Sequence, residues 1–93
     1  MTRRRATIAT ASGLHARPAA LVTQLAGVPG IPVLLGRVDQ PPVDATSILM
    51  VMGLRLKHGD QVELSAEGDG AETVLEQLCA LLETDLDAVS TAR

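Results

Sequence analysis

The residues from 61 to 67 alternate strictly between polar and apolar side chains. In a β-strand, Val62, Leu64 and Ala66 would point to one face and the polar residues between them to the other. This pattern is typical of a sheet with one face in the core and one in water, which favours antiparallel pairing. The remaining elements are therefore expected to cover one side of the sheet.

Two segments predict the helices that cover this face. The clearer one follows residues 68–70, where Asp69 and Glu72 resemble a capping box. Its apolar residues have the spacing of one helical face: Ala71, Val74, Leu75, Leu78, Leu81, Leu82 and Leu86. The other helix is predicted from about Ala16 to Gly27, with Pro18 in its first turn. Its inner face is expected to carry Leu21, Leu25 and Val28.

Weaker patterns predict three more strands and a short helix. The strands are expected at residues 5–10, at residues 31–35 and near Val43. The apolar run Ile48–Met52 is interpreted as a helix that Thr46 or Ser47 caps and Gly53 ends. The element order is then βαββαβα. Helices on one side of such a sheet make a two-layer α+β sandwich.

The composition fits one small domain over residues 1–93. Leu, Val and Ile supply 26 of the 93 residues, enough for an aliphatic core. The formal charge is −3 and Phe, Tyr and Trp are absent, so nucleic-acid binding is not expected. One cysteine excludes an internal disulfide, and the apolar runs are too short to span a bilayer. We expect a cytoplasmic monomer without membrane insertion.

The chemistry that the sequence suggests lies at the start of the first helix. His15 stands there after Gly13, which permits a tight turn, and Arg17 follows two residues later. A helix start attracts anions through its unpaired N–H groups, and a guanidinium matches phosphate oxygens. The combination fits a histidine that becomes phosphorylated, because it offers a ring nitrogen and partners for phosphoryl oxygens. The alternative is a capping or surface histidine beside a solvated arginine.

An eight-residue segment resembles the active-site signature of the HPr family, the histidine-containing phosphocarriers of the bacterial phosphoenolpyruvate:sugar phosphotransferase system: Gly13-Leu14-His15-Ala16-Arg17-Pro18-Ala19-Ala20. Residues 43–54 resemble the family's second signature, around its regulatory serine. Residues 59–60 and 65–68 resemble its last turn and strand. The resemblance covers essentially the whole chain. It implies an open-faced β-sandwich, a four-stranded antiparallel sheet with three helices on one face.

The resemblance also implies roles for individual residues. His15 aligns with the histidine that enzyme I phosphorylates on Nδ1, and Arg17 with the arginine that holds the phosphoryl group. Ser12 and Ala16 occupy positions beside that group. Ser47 aligns with the serine that an ATP-dependent HPr kinase phosphorylates in bacteria that have one. The alternative for Ser47 is a helix cap without regulation.

The resemblance further implies a surface on which partner proteins dock. Leu49, Met50 and Met52 are expected in the core or on an apolar patch beside His15 where partners dock, with a mixture of both favoured. His58 is interpreted as a surface residue and Cys79 as a small hydrophobe. A solvated helix end is expected at Asp85 and Asp87. His15, His58 and Cys79 lack metal-site spacing, and no cofactor or metal is expected.

The function that the resemblance implies is a phosphoryl relay without turnover of a small substrate. Phosphoenolpyruvate phosphorylates enzyme I, enzyme I phosphorylates His15, and His15 passes the group to a sugar-specific enzyme IIA. Two alternatives stay open. One is a paralogous carrier in a nitrogen-regulatory or dihydroxyacetone-kinase relay. The other is a regulatory binding module that phosphorylation switches between partners.

Overall fold

The computed structural model describes residues 1–85, which form four strands and three helices. The strands are β1 (Thr2–Thr7), β2 (Val33–Arg37), β3 (Val43–Asp44) and β4 (Gln61–Ala66). The helices are α1 (Ala16–Gly27), α2 (Ile48–Gly53) and α3 (Ala71–Leu82). The order βαββαβα is the predicted one. Two residues with predicted positions, Leu86 and Asp87, lie outside the described part of the chain.

The sheet is antiparallel throughout, with the strand order β1-β4-β2-β3. β4 lies between β1 and β2, and its Ala66 pairs with Thr2 on one side and with Val33 on the other. Val62, Leu64 and Ala66 are buried, whereas Glu63 and Ser65 between them are partly exposed. The alternation therefore predicted correctly both the strand and its wet face.

The core is aliphatic and lies between the inner face of the sheet and the helices. α3 packs on β1 and β4 and also against α1, while α2 packs on α1 and β3. α3 contributes the predicted residues except for Leu81, which is only partly buried: Ala71, Val74, Leu75, Leu78 and Leu82. The two-layer α+β sandwich is confirmed.

The inner face of α1 differs from the prediction. Its buried residues are Pro18, Ala19, Val22 and Ala26. Leu21 and Val28 are exposed, so their assignment to the core was wrong, and Leu25 is partly buried. α1 carries two adjacent apolar stripes, each at helical spacing, and the stripe with small residues faces the core. Alanines there let the helix pack close to its neighbours, which spacing alone does not reveal.

The start and the end of α3 also differ. Gly70 occupies the N-cap position with φ 88° and no side-chain cap bond, so the capping role predicted for Asp69 is wrong. The helix begins one residue later than that role requires. At the other end Asp85 is not a solvated helix residue. It lies beyond Leu82, is partly buried, and its Oδ1 accepts a hydrogen bond from the backbone N–H of Ala11 at 3.3 Å.

The strand boundaries shift by two or three residues. β1 begins at Thr2 rather than at residue 5, because its residues continue the ladder with β4 as far as Ala66. Arg4 reaches Glu76 of α3 at 3.8 Å, and both side chains are well exposed, so this ion pair adds little stability. β2 covers residues 33–37 instead of 31–35.

Candidate functional site

His15 is the N-cap residue of α1. Its backbone is extended (φ −84°, ψ −168°), and its carbonyl oxygen accepts the N–H of Ala19 at 2.9 Å. The side chain makes no cap hydrogen bond and is exposed. The first N–H groups of a helix have no intrahelical partner. In α1 those groups belong to Ala16 and Arg17, because Pro18 has none, so the backbone beside His15 offers donors to an anion.

The loop before His15 rests against the segment that follows α2. Gly13 has φ 80°, and its N–H donates to the carbonyl of Thr10 at 2.9 Å. A Cβ atom on Gly13 would lie 2.6 Å from the carbonyl oxygen of Leu56. That same oxygen accepts the N–H of Leu14 at 2.9 Å. Glycine is therefore required here both for its backbone conformation and for the close approach of Leu56.

Further backbone hydrogen bonds hold this loop in place. Ile8 donates to the carbonyl of Asp60 at 2.9 Å and accepts from the N–H of Gly59 at 2.8 Å. On the other side, the N–H of Ala9 donates to the carbonyl of Leu82 at the end of α3 at 3.0 Å. The loop that leads to His15 is thus fixed from two directions.

A cavity of about 300 Å³, open to solvent, lies beside His15. Its apolar lining consists of Leu14, Met52 and Leu56. Its polar lining consists of Ser12, His15, Arg55 and Lys57. None of the described residues that line it is acidic. The structure therefore brings Ser12 and Met52 to His15, as expected from the sequence, and adds two basic residues that the sequence analysis missed.

Arg17 does not line this cavity. It is exposed in the first turn of α1, two residues after His15. Ala16, the neighbour expected to contact the phosphoryl group, is also exposed. Both residues bring their backbone N–H groups to the helix start on which His15 stands.

Arg37 of β2 fixes the segment that carries the two additional basic residues. Its guanidinium donates to the carbonyl oxygens of Leu54 and Arg55, the latter at 2.9 Å, and to the Asp60 carboxylate at 2.9 Å. Asp60 also accepts the N–H of Lys57 at 2.8 Å. This backbone hydrogen bond is the largest influence that lowers the pKa of Asp60, and Arg37 adds to it against the opposing effect of burial.

Ser47 caps α2, and it is one of the two residues predicted for this role. Its Oγ accepts the N–H of Met50 at 3.4 Å, and its carbonyl accepts the N–H of Val51 at 3.0 Å. Thr46, the other candidate, instead donates from its backbone and its hydroxyl to the carboxylate of Asp44, at 2.9 and 2.7 Å. These bonds lower the pKa of Asp44, the one from the Thr46 hydroxyl most strongly.

The apolar side chains of α2 divide clearly between the core and the surface. Val51 is fully buried. Leu49 is 80% exposed, Met50 50% and Met52 37%, so the expected mixture of core and surface roles among these three is wrong. Together with Ile48 they form an exposed apolar patch, which we call the α2 patch and which reaches the His15 cavity through Met52.

Comparison with known proteins identifies the family. A family model described as the PTS HPr component phosphorylation site matches residues 2–84. The chain belongs to the HPr family. The phosphocarrier protein HPr of Streptomyces coelicolor is 39% identical over 87 residues, which is 94% of each chain. HPr of Haloferax volcanii is 43% identical over 82 residues, 87% of this chain and 92% of the relative.

The fold comparison agrees with the sequence comparison. A crystal structure of HPr-C-His from Thermoanaerobacter tengcongensis superposes with a TM-score of 0.85 at 37% identity, covering 94% of this chain and 97% of the other. As an HPr family member the chain is a phosphocarrier of the phosphotransferase system. The resemblance stated from the eight residues around His15 is thereby confirmed, as is the open-faced sandwich that it implied.

Two other candidate groups, His58 and Cys79, do not line the His15 cavity. His58 is exposed in the turn before Gly59, as expected. Cys79 packs against the core, and its thiol donates to the carbonyl of Arg5 at 3.8 Å. Burial first, and then the charge of Glu83, raise the pKa of this thiol, which therefore stays protonated at neutral pH. Within residues 1–85 no helix is long and apolar enough to cross a membrane.

Proposed function

We propose that this phosphocarrier works through a phosphohistidine intermediate on His15. The observation that carries the proposal is the position of His15: an exposed imidazole at the N-cap of a twelve-residue helix, beside an open cavity with basic lining residues. Exposure is necessary because the ring must meet reacting groups on two different proteins in turn. The helix start favours negative charge once the phosphoryl group has arrived.

The chemistry is a pair of in-line displacements. A lone pair on the His15 ring, on Nδ1 as the family resemblance implies, attacks the phosphorus atom of a phosphorylated donor. The new P–N bond forms as the bond from phosphorus to the donor breaks, and its electron pair stays with the donor. The acceptor then repeats the displacement on phospho-His15. Little covalent chemistry is required of the protein, which contributes position and electrostatic stabilisation.

Arg17 and the first turn of α1 are the proposed partners of the phosphoryl oxygens. The N–H groups of Ala16 and Arg17 are directed by the helix toward its start, and the guanidinium of Arg17 is exposed and able to approach a group on His15. Ser12 lines the same cavity as the imidazole and supplies a hydroxyl to it. The donor is enzyme I and the acceptors are enzyme IIA proteins, as the family resemblance implies.

The α2 patch is the proposed docking surface for these partners. Its exposed side chains lie next to the cavity, so a protein that covers the patch also reaches His15. Two of the four side chains are methionines, whose flexibility allows one surface to fit several partners. Ser47 caps the helix that carries this patch, so a phosphate there would place charge beside it.

The test is phosphorylation by a purified enzyme I with phosphoenolpyruvate. The parent is expected to gain one acid-labile, base-stable phosphoryl group per chain. His15→Ala should gain none, whereas the matched control His58→Ala, a change at another exposed histidine, should be labelled like the parent. Labelling that persists in His15→Ala would contradict the assignment.

A further inference from the structure

Arg55 and Lys57 are distant from His15 in sequence. Backbone contacts of the segment between them bring both residues to the His15 cavity. The carbonyl of Leu56, which lies between them, accepts the N–H of Leu14 and touches Gly13. The Leu56 side chain is buried in the core. With this residue fixed at both its backbone and its side chain, its two neighbours are left on the solvent side, and both line the cavity beside His15.

The backbone of Arg55 lies in the left-handed region, with φ 53°. A residue with a Cβ atom is strained there, and such conformations persist where surrounding contacts hold them. The contacts here are the hydrogen bonds from Arg37 to the carbonyls of Leu54 and Arg55. A glycine would adopt this conformation without strain. The chain instead places a long cationic side chain at this point, beside the cavity.

The charged side chains around the cavity are of one sign. Two cationic side chains line it, and among its described lining residues none is acidic. Arg17, in the first turn of α1, is not in the lining. A negatively charged phosphoryl group on His15 would therefore have a guanidinium and an ammonium group on the cavity side, in addition to Arg17 and the helix start.

We infer that Arg55 and Lys57 form a second set of basic contacts that stabilises the phosphoryl group on His15 from the cavity side. The inference rests on the proposed function, because it requires that His15 be the phosphorylated residue. Arg37 is a positioning residue in this arrangement, since it holds the carbonyl of Arg55 and the Asp60 carboxylate that binds the N–H of Lys57.

The decisive quantity is the equilibrium constant for phosphoryl transfer from phospho-enzyme I to the carrier. It compares the free proteins and does not depend on how well they dock, so it separates contact with the phosphoryl group from contact with a partner. Arg55→Gln and Lys57→Gln should each lower this constant between about 1.4-fold and fivefold, the range for a solvent-exposed charge pair. The double variant should lower it by about the product of the two.

Three further variants serve as controls. Arg3→Gln removes the same charge on the open face of the sheet and should leave the constant at the parent value. Arg55→Lys keeps the charge and should stay close to the parent. Arg55→Gly removes the charge and relieves the strain at φ 53°, so it should be more stable than the parent and still show the lowered constant.

The outcomes are distinguishable. If the parent is phosphorylated on His15 and the double variant has the same equilibrium constant as Arg3→Gln, the inference is wrong and the proposed function stands. A double variant that changes only the KM for enzyme I also overturns it, because the two side chains then act on the partner. If the parent is not phosphorylated on His15, the proposed function itself fails.

Discussion

Replacing Gly13 by alanine tests the contact that builds the site. The added Cβ atom would lie 2.6 Å from the carbonyl oxygen of Leu56 and 3.1 Å from the Cα atom of Lys57, both of them backbone atoms. A left-handed backbone costs an L-residue about 1–2 kcal/mol. Displacing a packed segment costs about 1–3 kcal/mol more. Gly13→Ala should therefore lower the free energy of unfolding by about 2–5 kcal/mol.

Two other glycines separate the cost of the left-handed backbone from the cost of displacing the packed segment. Gly30 also has a positive φ of 70°, but a Cβ atom there would meet nothing within 4 Å, so Gly30→Ala should cost only the 1–2 kcal/mol of backbone strain. Gly27, the last residue of α1, has neither problem, and Gly27→Ala should be neutral or stabilising by up to about 1 kcal/mol.

Urea unfolding at constant pH measures all three variants. A domain of this size has a free energy of unfolding of about 5–14 kcal/mol, so the predicted loss in Gly13→Ala is a large share of the total. Phosphorylation by enzyme I should also slow in this variant under folding conditions, because the Leu56 segment must move. If Gly13→Ala lowers the free energy of unfolding no more than Gly30→Ala does, the close approach of Leu56 does not constrain the fold.

The remaining predictions concern charge at the site and around it. Arg17→Ala should fold normally and slow transfer from phospho-enzyme I, with a rise in activation free energy of ~2–4 kcal/mol that stopped-flow kinetics would detect; an unchanged rate would remove Arg17 from the mechanism. Ser47→Asp should leave the circular dichroism unchanged and raise the KM for the carrier in the enzyme I reaction; an unchanged KM would contradict docking at the α2 patch. Arg37→Ala should lose about 1–3 kcal/mol of stability in urea unfolding, because it removes three hydrogen bonds. The pKa of Asp60 is lower in the folded state than in the unfolded state, so its contribution is complete at neutral pH and is lost as the pH falls below about 4; Asp60→Asn should be less stable at pH 7 and lose less stability on acidification.

Local pattern was sufficient for the sheet and for the site histidine. The alternation from Gln61 to Ala66 identified the central strand and its buried face, and the motif around His15 identified both the helix start and the family. These features lie within a few consecutive residues. The geometry of a single strand or helix decides each feature, so the residue pattern of that segment is sufficient to predict it.

The errors came from choices that only packing decides. In α1 two apolar stripes compete, and the close approach of neighbouring elements selects the one with Ala19 and Ala26 over the one with Leu21 and Val28. The extent of β1 was misjudged because its three arginines give little apolar alternation, while the ladder with β4 continues through them.

The basic lining of the site was missed for a related reason. Arg55 and Lys57 lie about forty residues from His15 and reach it through the contact between Gly13 and Leu56. One indication was present in the sequence: the residues around His58 and Gly59 predict a turn directly before the strand at Gln61–Ala66. Without the pairing between the two loops, that indication does not identify a partner for His15.

The most direct test of the central claim is to map the phosphoryl group and then remove it with an acceptor. The protein is labelled with radioactive phosphoenolpyruvate and a catalytic amount of enzyme I, repurified, mapped by mass spectrometry under alkaline conditions, and mixed with a purified enzyme IIA. We expect one label per chain, located on the ring of His15, that moves to the acceptor within the mixing experiment. A label on any other residue, or a label on His15 that no enzyme IIA removes, would contradict the relay.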